Sequence, residues 1–283
     1  MKSLLSVILA FILAVAIPAT AQTQGVSTAL LNRFIQMATI CMSTYVGDTC
    51  VAPGGLVKVA DITNTATDVH GWILRDDAAQ EIIVAFRGTL SIQNLDSDTN
   101  YTLANFDTYP SCAGCQVHGG YYLLWASVYE DVQSLIQSQA SLYPDYGIVI
   151  TGHSLGGSLA ALAAAQFSSV FDNITVYTMG EPRTGNAAFA TFINDVYKTS
   201  NQDTGRFYRC THADDGVPHV PPVSDGYIHH GLEYWNLDPT SKSTTYICGA
   251  ETTECNGQYN TSGINTAHLT YFGHTVILGA VCS

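Results

Sequence analysis

The stretch Gly147-Ile-Val-Ile-Thr-Gly-His-Ser-Leu-Gly-Gly-Ser-Leu-Ala-Ala161 decides how the chain is read. Ile148 to Thr151 form a short apolar run of the kind that makes a buried strand, and the Ala-rich segment from Ser158 to Phe167 predicts a helix. Between them, Gly152-His-Ser-Leu-Gly156 fits G-x-S-x-G, the sharp strand-to-helix turn that lifts a serine hydroxyl above a sheet. A Cβ at either glycine would crowd so tight a turn. The helix N-terminus beneath it offers free N–H groups and positive partial charge where an oxyanion would form. Ser154 is therefore the expected nucleophile.

Working outward, elements of two periods alternate. Leu30, Leu31, Phe34, Ile35, Ala38 and Met42 recur at helical spacing. Gly71 to Arg75 and Glu81 to Phe86 read as a hairpin that leads into a buried central strand. Residues 90–116 show no sustained period and read as a long loop, a lid or binding surface. Tyr121 to Leu142 predicts a helix that stops at Tyr143-Pro144, and Asn186 to Tyr197 predicts another. Ile174 to Met179 and Arg206 to Thr211 complete the strands. Such alternation predicts an α/β domain with a largely parallel sheet. Internal repeats and shifts of composition are absent, so residues 22–283 are expected to form one domain.

A serine hydroxyl needs a histidine to take its proton and an acid to fix that histidine's tautomer. In the chain order Ser, Asp, His, both lie downstream. Arg206-Phe-Tyr-Arg-Cys-Thr-His-Ala-Asp-Asp-Gly216 brings a strand out into a pair of carboxylates, and either Asp214 or Asp215 could serve. His212, His219, His229, His230, His268 and His274 are the downstream bases, and spacing does not choose among them. A metal site built on His229-His230 is disfavoured, because adjacent strand residues point to opposite faces.

Composition narrows the setting. With 47% hydrophobic and 12% charged residues the chain has ample core and is not a disordered one. Its formal charge of −13 argues against nucleic acid or anionic membrane as partners. Met1-Lys2, the apolar run Leu4 to Ile17, and Pro18-Ala-Thr-Ala21 read as a signal peptide over 1–21, too short to span a membrane, so a secreted, extracellular protein is expected. Eight scattered cysteines in an exported chain point to disulfides rather than zinc, with Cys112-Ala-Gly-Cys115 read as a local bridge at a turn. Sequons at Asn100, Asn173 and Asn260 fit the same compartment as glycosylation sites.

Read together, Phe86-Arg-Gly-Thr89, Gly152-His-Ser-Leu-Gly-Gly157, Gly180-Glu-Pro-Arg-Thr-Gly-Asn186, Asp215-Gly-Val-Pro-His-Val-Pro-Pro222 and Ala267-His-Leu-Thr-Tyr-Phe-Gly273 resemble the secreted filamentous-fungal class 3 lipase family. The resemblance implies an α/β-hydrolase fold, with a largely parallel central sheet, helices on both faces and a lid loop. Asp98-Thr-Asn-Tyr-Thr-Leu103, Cys112-x-x-Cys115 and Val117-His-Gly-Gly-Tyr-Tyr122 look most like the type A feruloyl esterases of that family. Those enzymes release ferulic and related hydroxycinnamic acids from feruloylated plant cell-wall polysaccharide.

By the same resemblance the triad is Ser154, Asp215 and His268, and the oxyanion donors are the backbone N–H groups of Leu155 and Thr89. Asp98 and Tyr101, with His268, match substrate-binding positions. The implied disulfides join Cys50 to Cys282, Cys112 to Cys115, and Cys248 to Cys255, while Cys41 and Cys210 form either a fourth bridge or buried thiols. No cofactor or metal is needed, and a monomer is expected. Ser91-Ile-Gln-Asn94 echoes a lipase lid, but Leu95 stands where lipases carry Trp, and Asp96, Asp98 and Asn100 make the loop polar. A feruloyl esterase is thus the leading expectation, a lipase acting on tri-, di- or monoacylglycerols the alternative, and a non-catalytic binding protein a distant third.

Overall fold

The computed structural model describes residues 23–46, 52–89, 101–106 and 112–276. In chain order the elements are β1 (Thr23–Gln24), α1 (Thr28–Ser43), β2 (Val57–Asn64), β3 (Val69–Asp76), β4 (Glu81–Phe86), β5 (Leu103–Asn105) and β6 (Gln116–His118). There follow α2 (Gly119–Ala126), α3 (Tyr129–Leu142), β7 (Gly147–His153), α4 (Leu155–Phe167), β8 (Ile174–Met179), β9 (Gly185–Asn186), α5 (Ala187–Tyr197) and β10 (Phe207–His212). The last are β11 (Tyr227–Ile228), β12 (Glu233–Asn236), β13 (Thr245–Cys248), β14 (Thr270–Tyr271) and β15 (His274–Thr275).

Side chains along a strand point alternately to its two faces, so a strand buried on both sides reads as one apolar run. Ile82-Ile83-Val84-Ala85-Phe86 is such a run: Ile82, Val84 and Phe86 enter one core, and Ile83 and Ala85 the other. The main sheet is ordered β1-β13-β12-β10-β8-β7-β4-β3-β2. At its centre β4, β7, β8, β10 and β12 run parallel, and antiparallel strands flank them on each side.

From β4 the chain steps across neighbouring strands in one direction only. Right-handed crossovers that never reverse direction deliver every connecting helix to the same face. Accordingly α2 to α5 all pack into the core with Phe86, Trp125, Ile136, Leu162 and Phe189. The other face is covered by α1, whose Phe34, Met37, Ile40 and Met42 meet Trp72, Ile83, Tyr177 and Tyr234. This is the α/β-hydrolase architecture with helices on both faces, unevenly shared. The start of α1 is fixed by Ser27, whose hydroxyl accepts the N–H of Leu30 at 3.1 Å.

Some expectations need correction. The helix expected over 121–142 is two helices, because Ser127 turns its hydroxyl onto the carbonyl of Leu124 and the chain breaks so that Trp125 and Val128 both reach the core. The segment 90–116, read as loop, contains β5 and the start of β6, which pair in a second sheet ordered β11-β9-β6-β5. Strands of three residues are too short to show a period, and non-local partners make them. Residues 90–100, which carry Asp98 and Asn100, lie outside the described residues.

Cys112 pairs with Cys115 and Cys248 with Cys255. Cys50 and Cys282 lie outside the described residues. Cys41 and Cys210 are buried free thiols, so the fourth bridge does not form. The Sγ of Cys41 rests 3.2 Å from the hydroxyl of Thr151, and burial pushes this thiol up to about 12. Among the described residues no helix is long and apolar enough to cross a membrane.

Candidate active site

Ser154 sits between β7 and α4 with φ 59° and ψ −132°, a conformation an L-residue holds only at some cost. The flanking glycines let the turn close. A Cβ on Gly152 would run into the carbonyl of Gly156, and one on Gly156 into the carbonyl of Phe86. The N–H of Ser154 continues the sheet ladder to the carbonyl of Met179 at 2.8 Å.

Parallel register places the remaining parts at the same, C-terminal edge of the strands. Phe86 on β4 lies opposite Gly152 on β7, so Arg87-Gly88-Thr89 leaves its strand directly beside the turn. A Cβ on Gly88 would stand 2.9 Å from the Cβ of Ser154. Met179 on β8 pairs with His153, and Cys210 on β10 pairs with Met179, which brings the end of β10 and the loop after it to the same edge. Asp215 lies in that loop.

Of the two carboxylates, the structure brings that of Asp215 to His268. Asp215 is fully buried, and its Oδ2 and Oδ1 stand 2.9 and 3.1 Å from Nδ1 of His268. The backbone N–H of Val217 donates to Oδ1 at 2.9 Å, and the phenol of Tyr271 donates to Oδ2. Burial alone would raise the pKa of this carboxyl. The charge and hydrogen bond of His268, with the bonds from Tyr271 and Val217, outweigh it and hold Asp215 below the ordinary carboxylate range. Asp214 is half-buried and contributes its backbone carbonyl to Thr261 and Asn265.

The other histidines are occupied elsewhere. His212 bonds the carbonyl of Ala267, His219 that of Thr261 and His229 that of Pro218. His230 meets Glu181 at 3.0 Å, and His274 meets the hydroxyl of Thr39. Of the six imidazoles, only that of His268 bonds the carboxylate of Asp215. With its Nδ1–H donated to a carboxylate, its Nε2 is left as an acceptor. Nε2 of His268 and Oγ of Ser154 are both buried, and among the described residues neither has a hydrogen-bond partner, the other included. A serine hydroxyl and an imidazole oriented by a carboxylate can carry out acyl transfer once the two come within hydrogen-bond reach of each other.

A cavity of about 450 Å³ opens at this edge. It is lined by Thr89, Leu155 and Tyr101, and also by Leu124, Leu159 and Val220. Leu155 opens α4, so its N–H points out of a helix N-terminus. Asn173 and Asn260 are both exposed.

Several residues of the site carry no sequence motif. Asn256 donates to the backbone carbonyl of Asp215 at 2.9 Å, and Asn265 accepts the N–H of His268 at 3.1 Å. Tyr271 could have been found from its place three residues after His268. The asparagines gave no signal, because a single amide in a loop has no pattern.

A family model described as lipase (class 3) matches residues 83–225. A secreted mono- and diacylglycerol lipase 1 of Fusarium solani is 36% identical over 224 residues, covering 76% of this chain and 63% of its own length. The chain thus spans just under two thirds of that curated relative. Lipase II from Rhizopus niveus superposes with a TM-score of 0.79 at 29% identity, covering 92% of this chain and 99% of that one. A triacylglycerol lipase whose catalytic centre is described as a serine protease triad superposes at 0.77 with 28% identity, covering 93% and 100%.

Proposed function

The chain belongs to the class 3 lipase family, and on that premise we propose that it is a secreted serine hydrolase of carboxylic esters whose substrates are acylglycerols. His268 Nε2 takes the proton of Ser154 as its oxygen attacks the ester carbonyl. The N–H groups of Leu155 and Thr89 receive the oxyanion, and Asp215 holds the imidazole in the required tautomer. His268 passes the proton to the departing alcohol, and water then releases the acid by the reverse sequence. The buried contact between His268 and Asp215 beside the Ser154 turn carries this reading.

For the ester itself, the support is the cavity wall of Leu124, Leu159 and Val220, suited to an acyl chain, and the names of the relatives. The feruloyl ester that the sequence put first finds no support in those names. It survives as the losing arm of the test, since Tyr101 does line the cavity. Residues 1–21 are proposed to be a removed leader, 22–283 one catalytic domain, and Asn173 and Asn260 accessible for glycosylation.

The purified protein is expected to hydrolyse tributyrin and dioctanoylglycerol with higher kcat/KM than methyl ferulate. Ser154→Ala should abolish turnover of all three, by several orders of magnitude. A higher kcat/KM on methyl ferulate than on either glyceride would overturn the acylglycerol assignment. Survival of activity in Ser154→Ala would overturn the site.

A further inference from the structure

Two polar side chains at this edge have no part in the chemistry above, yet they link the loop of Thr89, the elbow of Ser154 and the turn of His268. Tyr45 follows α1, and His153 immediately precedes Ser154. The backbone N–H of Gly88 donates to the phenol oxygen of Tyr45 at 3.0 Å. That oxygen lies 2.7 Å from Nδ1 of His153, whose Nε2 lies 2.8 Å from the backbone carbonyl of His268.

The directions of these bonds follow from chemistry. A carbonyl only accepts, so Nε2 of His153 carries the proton and Nδ1 is a lone pair. Tyr45 must therefore donate its O–H to Nδ1 while its oxygen accepts from Gly88. Burial, and next the neighbouring His268, push His153 down to about 3, so the ring stays neutral and the order of donors holds at neutral pH.

The chain of bonds spans a place where the sheet no longer helps. The register of β4 on β7 ends at Phe86 and Gly152. Arg87 still donates to the carbonyl of His70, but the next N–H, that of Gly88, goes to Tyr45. Thr89, the proposed oxyanion donor, is one residue further on. At the other end, the turn carrying His268 lies outside the main sheet and is tied back to the elbow through His153.

We propose that Tyr45 and His153 are positioning residues, which lock the loop bearing Thr89 and the turn bearing His268 in register with Ser154. The proposal rests on the serine-hydrolase reading of the site. Neither residue touches substrate in it. Their effect is on the geometry of the transition state, where a donor displaced by an ångström loses most of its value, and much less on binding of the ground state.

The test is Tyr45→Phe, which removes one oxygen and keeps the ring. Turnover of soluble p-nitrophenyl butyrate is measured per active site, counted by titration with a phosphonate inhibitor. Expected is a fall in kcat per titrated site of about 10- to 100-fold with KM within about twofold of wild type. An unchanged kcat per site, with only a lower melting temperature, would make the pair a structural brace and overturn the proposal. Should Tyr45→Phe fail to fold, nitrogen-15 NMR of wild-type imidazoles at pH 7 decides instead: His153 must be neutral with the proton on Nε2, and a proton on Nδ1 overturns the relay. Ser154→Ala assayed alongside separates the two levels, since residual turnover there sinks the hydrolase reading whatever Tyr45→Phe does.

Discussion

Ser154 and His268 are held by different means. Ser154, with Leu155 and the start of the Thr89 loop, grows out of adjacent parallel strands, and backbone register up to Phe86 and Gly152 brings these parts together before Tyr45 takes over at Gly88. His268 and Asp215 stand on loops 53 residues apart in the chain, and side chains hold them: Asn256 on the carbonyl of Asp215, Asn265 on the N–H of His268, Tyr271 on the carboxylate. A register-built half tolerates no added volume, because its backbones touch. A side-chain-built half tolerates isosteric change in shape but not in polarity, because each group it buries depends on a specific partner.

The largest effect should come from changing polarity in the loop half. Asp215→Asn keeps the shape, yet an amide can donate to Nδ1 of His268 and so favour the wrong tautomer. We expect the variant to fold and kcat at pH 7 to fall about 10³- to 10⁴-fold, as triads that lose the acid do. Steady-state kinetics with a matching circular dichroism spectrum would check it, and a loss smaller than tenfold would remove Asp215 from its role.

Added volume in the strand half comes next. Gly156→Ala places a methyl group inside the carbonyl of Phe86, between α4 and β4, where backbone sits on both sides. Such overpacking costs on the order of 3 kcal/mol. Urea denaturation should show that loss, with activity falling alongside because the elbow itself must move. A variant within about 0.5 kcal/mol of wild type would show that the two elements part easily and that register is not what holds this half.

The same division explains what could be read beforehand. Gly152-His-Ser-Leu-Gly156 was legible because every constraint on it is local: a strand before, a helix after and glycines at the close approaches. The free N–H groups of the helix N-terminus came with it, whereas Leu155 and Thr89 as the oxyanion donors rest on the family resemblance. Asp215 and His268 were not legible from spacing, since what separates His268 from His212 or His230 is only which partner lies within reach after folding. The family resemblance selected them, and the contact between His268 and Asp215 accounts physically for that selection. The second sheet was missed for a related reason: β5 and β6 exist through pairing with β9 and β11 and not through their own pattern. Tyr45 and His153 were invisible as a pair, 108 residues apart and joined by one bond.

The smallest effect tests how finely the loop half is tuned. Tyr271→Phe removes one donor from the buried carboxylate and leaves His268 and the N–H of Val217 in place. At pH 7 this should cost about 1 to 2 kcal/mol of stability. The sign of its pH dependence separates the causes. The folded-state pKa of Asp215 is depressed, so its contribution is fully present above the unfolded value of 3.8 and is lost as pH falls through the lower, folded value. Losing Tyr271's O–H raises the folded value toward the unfolded one, so the variant has less to lose. The gap between the two proteins should therefore be full at pH 7 and pH 5 and narrow below 3.8. His153 does not blur the comparison. Its depressed pKa means the unfolded chain takes up a proton between 6.5 and about 3 that the folded chain refuses, which weakens wild type and variant alike as pH falls. Urea midpoints at pH 7, 5 and 3.5 would read the difference, and a gap that stayed constant to the lowest pH would mean that Tyr271 acts through packing and not through the carboxylate.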